Sequence, residues 1–173
     1  VRDEADRYAE VMTGEQGKPL AQARAEVLSS ADQFDWYADE ARRIYGRTVD
    51  GHSPDMRITV RREPIGPVAA FAPWNFPSLL PARKIAPALA AGCSVVSVPP
   101  IEAPLSSLLF AEAAQRAGLP PGVLNIITGD PPALSEHLVT SPVIRKVSRT
   151  GSVPVGIAVN TLAARTLKSV SME

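Results

Sequence analysis

From Gly66 to Met172 the chain alternates between short apolar runs and longer segments of helical character. Val68 to Phe71, Ser94 to Val98, Val123 to Ile127, Ile144 to Val147 and Leu167 to Met172 read as strands. Between them, Lys84 to Ala91, Ser106 to Ala117, Pro132 to Val139 and Pro154 to Ala163 read as helices, with Gly92 and Gly118 closing the first two. Strands separated by helices and joined by short loops form βαβ units. Strands this apolar must be covered on both faces. The predicted fold class is therefore α/β: a Rossmann-like, doubly wound parallel sheet.

The opening segment reads differently. Ala5, Tyr8, Ala9 and Met12 recur at helical spacing, and Gly14 and Gly17-Lys18-Pro19 are expected to break that helix. A second helix is predicted from about Leu20 to Tyr45, with Gly46 as its stop. Residues 50–56 form a polar, turn-rich loop, and Arg57 to Arg62 alternates like a half-exposed edge strand or arm.

The balance of 18 Lys and Arg against 18 Asp and Glu gives no electrostatic reason to expect nucleic acid or an anionic membrane as partner. No apolar run is long enough to span a bilayer. The single cysteine, Cys93, cannot form an internal disulfide, so a reducing, cytoplasmic setting is expected. It precedes a β-branched strand, which suits a buried thiol rather than a nucleophile. His52 and His137 belong to no cluster with metal-ligand spacing, so no metal site is predicted.

Ligands of open α/β sheets bind at the carboxyl ends of the strands. Three such ends carry suggestive residues. Pro73-Trp74-Asn75-Phe76-Pro77 is a loop stiffened by two prolines, in which Asn75 offers an amide donor suited to a developing oxyanion. Thr150-Gly151-Ser152-Val153-Pro154-Val155-Gly156 leads into a helix whose free N–H groups suit a phosphate. Thr128-Gly129-Asp130 follows a strand and permits close backbone approach. Each also has a bland reading: a rigid turn, an ordinary N-cap, and a simple strand-to-helix turn. No Gly-x-Gly-x-x-Gly is present.

Taken in order, the pieces resemble the NAD(P)-dependent aldehyde dehydrogenase superfamily. The resemblance rests on Glu15-Gln16-Gly17-Lys18-Pro19, Ile44-Tyr45-Gly46, Glu63 to Val68, Pro73 to Pro77, Lys84 to Gly92, Gly118 to Asn125 and the tail Lys168 to Glu173. It leans toward the succinate-semialdehyde dehydrogenase branch. It implies that Asn75 is the side-chain donor of the oxyanion hole and that Glu173 is the general base for the deacylating water. Phe71, Ala72, Pro73 and Trp74 are implied to line the cofactor, NAD or NADP. Gly129 with Asp130, and Thr150, Gly151, Ser152 and Val155, correspond to positions near its adenosine and diphosphate.

The family's nucleophilic cysteine is expected beyond Glu173, so the catalytic domain is expected to be absent from this chain. The implied division is a helical part at 1–56, an oligomerisation-arm strand at 57–63 and a cofactor domain at 64–173. A small aldehyde as substrate and a homo-oligomer are implied for a full-length form. Three positions depart from the family pattern: Val98 stands where a ribose-binding Lys is usual, Ile101 where an acidic residue is usual, and Arg149 where an aromatic is usual. Each lost ribose hydrogen bond is expected to weaken binding by about 1–3 kcal/mol. The alternative expectation is a degenerate relative with weak or no nucleotide binding and no catalysis.

Overall fold

The computed structural model describes residues 1–173. A short 3-10 turn, Arg2–Glu4, leads into α1 (Ala5–Gln16) and α2 (Leu20–Ala41). A hairpin follows, of β1 (Arg47–Asp50) and β2 (Arg57–Val60). The remainder alternates as expected: β3 (Val68–Phe71), α3 (Leu79–Ala90), β4 (Val95–Val98), α4 (Leu105–Arg116), β5 (Leu124–Ile126), α5 (Pro131–Thr140), β6 (Lys146–Arg149), α6 (Val153–Ala164) and β7 (Ser169–Met172). The five later strands pair in parallel, in the order β5-β4-β3-β6-β7. The chain winds outward from β3 to β5, then returns to β6 on the other side. The order reverses between β3 and β6, and a crevice opens at such a switch point.

Each face of the sheet has its own core. Tyr8, Met12, Val27, Ile85, Val95 and Phe110 fill the layer beneath α1 to α4. Ala69, Phe71, Val98, Val139, Val147 and Val159 fill the layer beneath α5 and α6. Neighbouring residues of β3 serve opposite layers, Ala70 the first and Phe71 the second, because side chains alternate along a strand. The strand is buried throughout for that reason.

Several local expectations are revised. Gly14 does not end α1. An exposed glycine costs a helix about 1 kcal/mol but does not stop it. The stop is Gly17, whose φ of 76° lets its N–H close on the Thr13 carbonyl (2.9 Å). The second helix ends at Ala41 rather than near Tyr45, and Gly46 serves the hairpin instead: a Cβ there would lie 2.5 Å from the Val60 carbonyl oxygen. Strand β1 has no place in the sequence reading, since four exposed residues, two of them charged, carry no strand signal of their own. Pairing with β2 creates it, so the stretch before residue 57 is not wholly helical. Helix α3 begins at Leu79, not Lys84, and β6 spans 146–149 rather than 144–147, which carries Arg149 to the strand's carboxyl end.

Two distant glutamates fasten helix starts that lack a side-chain cap of their own. Glu26 of α2 accepts the N–H groups of Ser78 and Leu79 (3.0 and 3.1 Å) at the start of α3. Glu15 of α1 accepts those of Leu105 and Ser106 (both 2.8 Å) at the start of α4. A carboxylate at a helix N-terminus satisfies orphan donors and complements the dipole.

Candidate functional site

A cleft of about 710 Å³ opens at the carboxyl ends of β3, β4 and β6. The end of β3 and its loop contribute Phe71, Ala72, Pro73 and Trp74, and β4 and its loop contribute Val98 through Glu102. Helix α5 presents Pro131, Pro132, Ser135 and Glu136. The end of β6 brings Arg149, Thr150, Gly151 and Ser152, and α6 forms a wall of Val155, Ala158, Val159 and Leu162. Trp74 is 55% exposed within this opening and so is not a core packing residue. Between α5 and α6 the walls are mostly apolar, a shape suited to a flat ring.

The N-terminus of α6 faces the cleft. Ser152 is its N-cap, yet its hydroxyl makes no capping bond. The first intrahelical bond runs from the Gly156 N–H to the Ser152 carbonyl (2.9 Å), so the N–H groups of Val153 and Val155 precede it and have no partner within the helix. Free donors at a dipole's positive end attract an anion. Arg149 reinforces this: its guanidinium donates to the Ser152 carbonyl (3.3 Å) and lies against Gly151, where an added Cβ would sit 2.7 Å from Nη2.

Beside the cleft lies a chain of polar contacts. Lys84, on α3 and mostly buried, donates from Nζ to Thr150 Oγ1 (2.7 Å), and that hydroxyl donates to Glu173 Oε2 (2.8 Å). Glu173 is held in register by its N–H on the Arg149 carbonyl (3.0 Å) and its carbonyl on the Gly151 N–H (3.1 Å). Burial pulls the Lys84 ammonium below its ordinary value; the Glu173 carboxylate opposes that, and Arg149 and Arg83 add to it. Glu173 borders a smaller depression of about 310 Å³ that shares Gly151 and Ser152 with the main cleft.

Asn75 sits on the exposed loop beyond Trp74. Its backbone carbonyl accepts from Lys18 Nζ (2.9 Å), while its side-chain amide has no partner within the chain. The reading in which that amide merely ties the turn together does not describe this loop. Lys18 also pairs with Glu26 and lies 4.3 Å from the Phe76 ring centroid, so the α1–α2 junction braces the loop from behind.

Eleven of the thirteen residues expected at a cofactor therefore line one cleft. The other two, Gly129 and Asp130, do not. Asp130 turns back as the N-cap of α5, its Oδ2 accepting the Ala133 N–H (3.0 Å), and Gly129 makes room for Leu134, whose Cδ1 would lie 3.3 Å from a Cβ there. Both shape the start of α5, and α5 supplies the wall. Sequence reasoning missed Glu102, Glu136 and Lys84. The only signal for Lys84 was a charge set among the apolar positions Ala82, Ile85 and Ala86. Cys93 is 4% exposed, well inside the fold, and no group of three or more His, Cys, Asp or Glu stands close enough to hold a metal ion. No helix is long and apolar enough to cross a membrane.

Comparison with known proteins accords with this geometry. The succinate-semialdehyde dehydrogenase [NADP(+)] of Escherichia coli (strain K12) is 46% identical over 168 residues, which is 97% of this chain and 35% of that protein. The crystal structure of an aldehyde dehydrogenase from Brucella melitensis biovar abortus 2308 superposes with a TM-score of 0.98 at 45% identity, over 99% of this chain and 36% of that one. An NAD-dependent aldehyde dehydrogenase from Sinorhizobium meliloti superposes with a TM-score of 0.96 at 37% identity, over 99% of this chain and 34% of that one. The chain thus spans about a third of the length of the relatives it matches, and those relatives use both forms of the nicotinamide cofactor. The model of the aldehyde dehydrogenase family matches residues 1–173, and the chain belongs to that family.

Proposed function

We propose that this chain forms the cofactor-binding part of an aldehyde dehydrogenase that oxidises a small aldehyde, in the manner of its semialdehyde dehydrogenase relatives, to a carboxylic acid with NAD or NADP. The observation that carries the proposal is a cleft at the sheet's switch point, with an anion-attracting helix end on one side and an ordered Lys84–Thr150–Glu173 chain beside it. The residues fit a dinucleotide. Ser152, Arg149 and the first N–H groups of α6 suit its diphosphate. The slot between α5 and α6 suits its adenine. Phe71 to Trp74 suit the part that continues toward the reacting end. When bound, the cofactor accepts the hydride that leaves the substrate carbon.

The chain's own residues would do the rest of what is assigned to this part. Asn75 holds its free amide out on a braced loop and donates to the carbonyl oxygen as negative charge gathers there. Glu173 takes a proton from the attacking water. Its carboxylate accepts from the Thr150 hydroxyl, which accepts in turn from the Lys84 ammonium, so the chain of donors holds the carboxylate in place. Cys93 is too buried to act as nucleophile, so the attacking thiol is assigned to residues outside this chain.

The organisation proposed with this function keeps 64–173 as the cofactor domain but begins the arm at Arg47 rather than residue 57, since the hairpin is one unit. Its exposed Val49, Ile58 and Val60 suit pairing with a second copy in a homo-oligomer. A cytoplasmic setting goes with the single reduced cysteine. The degenerate, non-binding alternative is not favoured, because the cleft and its free donors are formed despite Val98 and Ile101. Titration calorimetry with NAD and NADP tests the reading: saturable binding of at least one is expected, with no aldehyde turnover by the 173-residue chain itself. Absence of binding at millimolar dinucleotide would refute the cofactor assignment. Turnover would refute the assignment of the nucleophile.

A further inference from the structure

The segment from Asn75 to Leu79, between β3 and α3, is pinned at successive main-chain groups. The Asn75 carbonyl accepts from Lys18 Nζ (2.9 Å), the Phe76 carbonyl from the Leu80 N–H (3.1 Å) and the Pro77 carbonyl from Ser107 Oγ (2.7 Å). The N–H groups of Ser78 and Leu79 meet Glu26, and the Ser78 and Ser30 hydroxyls are hydrogen-bonded at 2.8 Å. The anchoring side chains Lys18, Glu26, Ser30 and Ser107 all lie at least 30 positions away in sequence. Ser30, Ser78, Ser107 and Glu26 are buried. What none of these anchors touches is the Asn75 side-chain amide, at an exposed position. A loop with a fixed backbone and one free amide holds that amide ready for a ligand.

Lys18 is the anchor on Asn75 itself. Its side chain is 14% exposed, and its one ammonium serves three partners: the Glu26 carboxylate, the Asn75 carbonyl and the Phe76 ring, 4.3 Å away at the centroid. A buried ion pair adds little stability over an apolar pair of similar volume, so stability alone does not account for a Lys–Glu pair here. What the pair supplies is direction. The ammonium donates to the carbonyl at one end of the loop, while the carboxylate accepts the two N–H groups at the other. Resting on the reading of Asn75 as the oxyanion donor, we infer that Lys18 is a positioning residue for the reaction. By holding the Asn75 carbonyl, with Glu26 as its counter-ion, it fixes the backbone from which the amide projects. Preorganised donors must stand in place before charge develops, and a displacement of about 1 Å can cost on the order of a hundred-fold in rate.

The test is a double-mutant cycle in steady-state kinetics, on the full-length enzyme that carries this chain. Lys18→Met is combined with Glu26→Gln, so that no buried charge is left alone and the amide oxygen still accepts the Ser78 and Leu79 N–H groups. In this variant kcat should fall at least about ten-fold while the KM for the dinucleotide holds, because the contact displaced is one made in the transition state. Lys18→Arg, which keeps a cation opposite Glu26, should retain more of kcat than the combined variant. Asn75→Ala should cost on the order of a hundred-fold. Adding the Lys18 and Glu26 changes to Asn75→Ala should then cost little more, since the amide they position is gone. Equal fold-losses with and without the Asn75 amide would mean damage spread through the domain, and would overturn the inference while leaving the oxyanion reading intact. So would an unchanged kcat in the combined variant, a loss carried by the dinucleotide KM, or a Lys18→Arg enzyme no better than the combined variant. An Asn75→Ala enzyme with unchanged kcat would overturn the oxyanion reading, and the positioning role with it.

Discussion

Replacing Glu26 with Ala should be among the most destabilising single changes available in this chain. The carboxylate is 5% exposed, yet it meets three donors: the N–H groups of Ser78 and Leu79 and the ammonium of Lys18. In the Ala variant the two N–H groups at the start of α3 lose their acceptor, and Ser78 offers no side-chain cap to replace it. Loss of a cap costs about 1 kcal/mol. Lys18, itself largely covered, keeps its charge without a carboxylate, and breaking a buried pair by removing one partner costs about 3–5 kcal/mol. The two effects share the same atoms and do not add, so a total of about 3–5 kcal/mol is expected. That is a large fraction of the roughly 5–15 kcal/mol that holds a domain folded. Urea unfolding followed by far-UV circular dichroism measures it, with Glu26→Gln as comparison, since the amide oxygen can still accept the two N–H groups and should recover part of the loss. The same variant releases Lys18 from its brace on the Asn75 loop, so Trp74 fluorescence should change before global unfolding. A loss below about 1 kcal/mol, or an equal loss in the Gln variant, would refute the view that this carboxylate fastens the loop and helix to α2.

Two further outcomes follow from the same geometry. Burial holds the Lys84 ammonium below its ordinary value of 10.5, so between its folded value and 10.5 the unfolded chain carries a proton that the folded chain has released. The contribution of this group to stability therefore rises with pH across that window, and the difference in urea midpoint between the parent and Lys84→Met should grow in the parent's favour as pH approaches 10.5. A flat or falling difference would contradict it. The hairpin presents Val49, Ile58 and Val60 to solvent on a two-stranded ribbon, so the chain should self-associate with concentration in light scattering. Ile58→Lys should reduce that association without changing the melting of the parallel sheet, and a parent that stays monomeric at high concentration would speak against an adhesive arm.

The sequence by itself determined the fold class and most of the cleft. Strand–helix alternation around an apolar central strand such as β3 permits little besides a parallel sheet covered on both faces, because a buried strand must be apolar on both sides and a parallel connection needs a helix to cross it. Once β3 and β6 are assigned, their carboxyl ends are where ligands bind, which is why Trp74 and Ser152 could be named from the sequence, whereas Val98 was named only through the family resemblance. What the sequence could not give are contacts made between residues far apart in the chain. Glu26 looks like any polar residue of a helix until it is seen 52 residues from Ser78 in sequence and 3.0 Å from its N–H. Lys84 gains its lowered proton affinity only from the burial of α3, reinforced by Arg149 and Arg83 and opposed by Glu173. Strand β1 exists because β2 lies beside it. Asp130, read as a ligand, turned back to cap its own helix, a choice between two acceptors that local sequence leaves open. The charge layout of the cleft belongs to the same class, since Glu102, Glu136 and Arg149 sit on a loop, a helix and a strand end, and only the packing of α5 and α6 against the sheet sets them around one space.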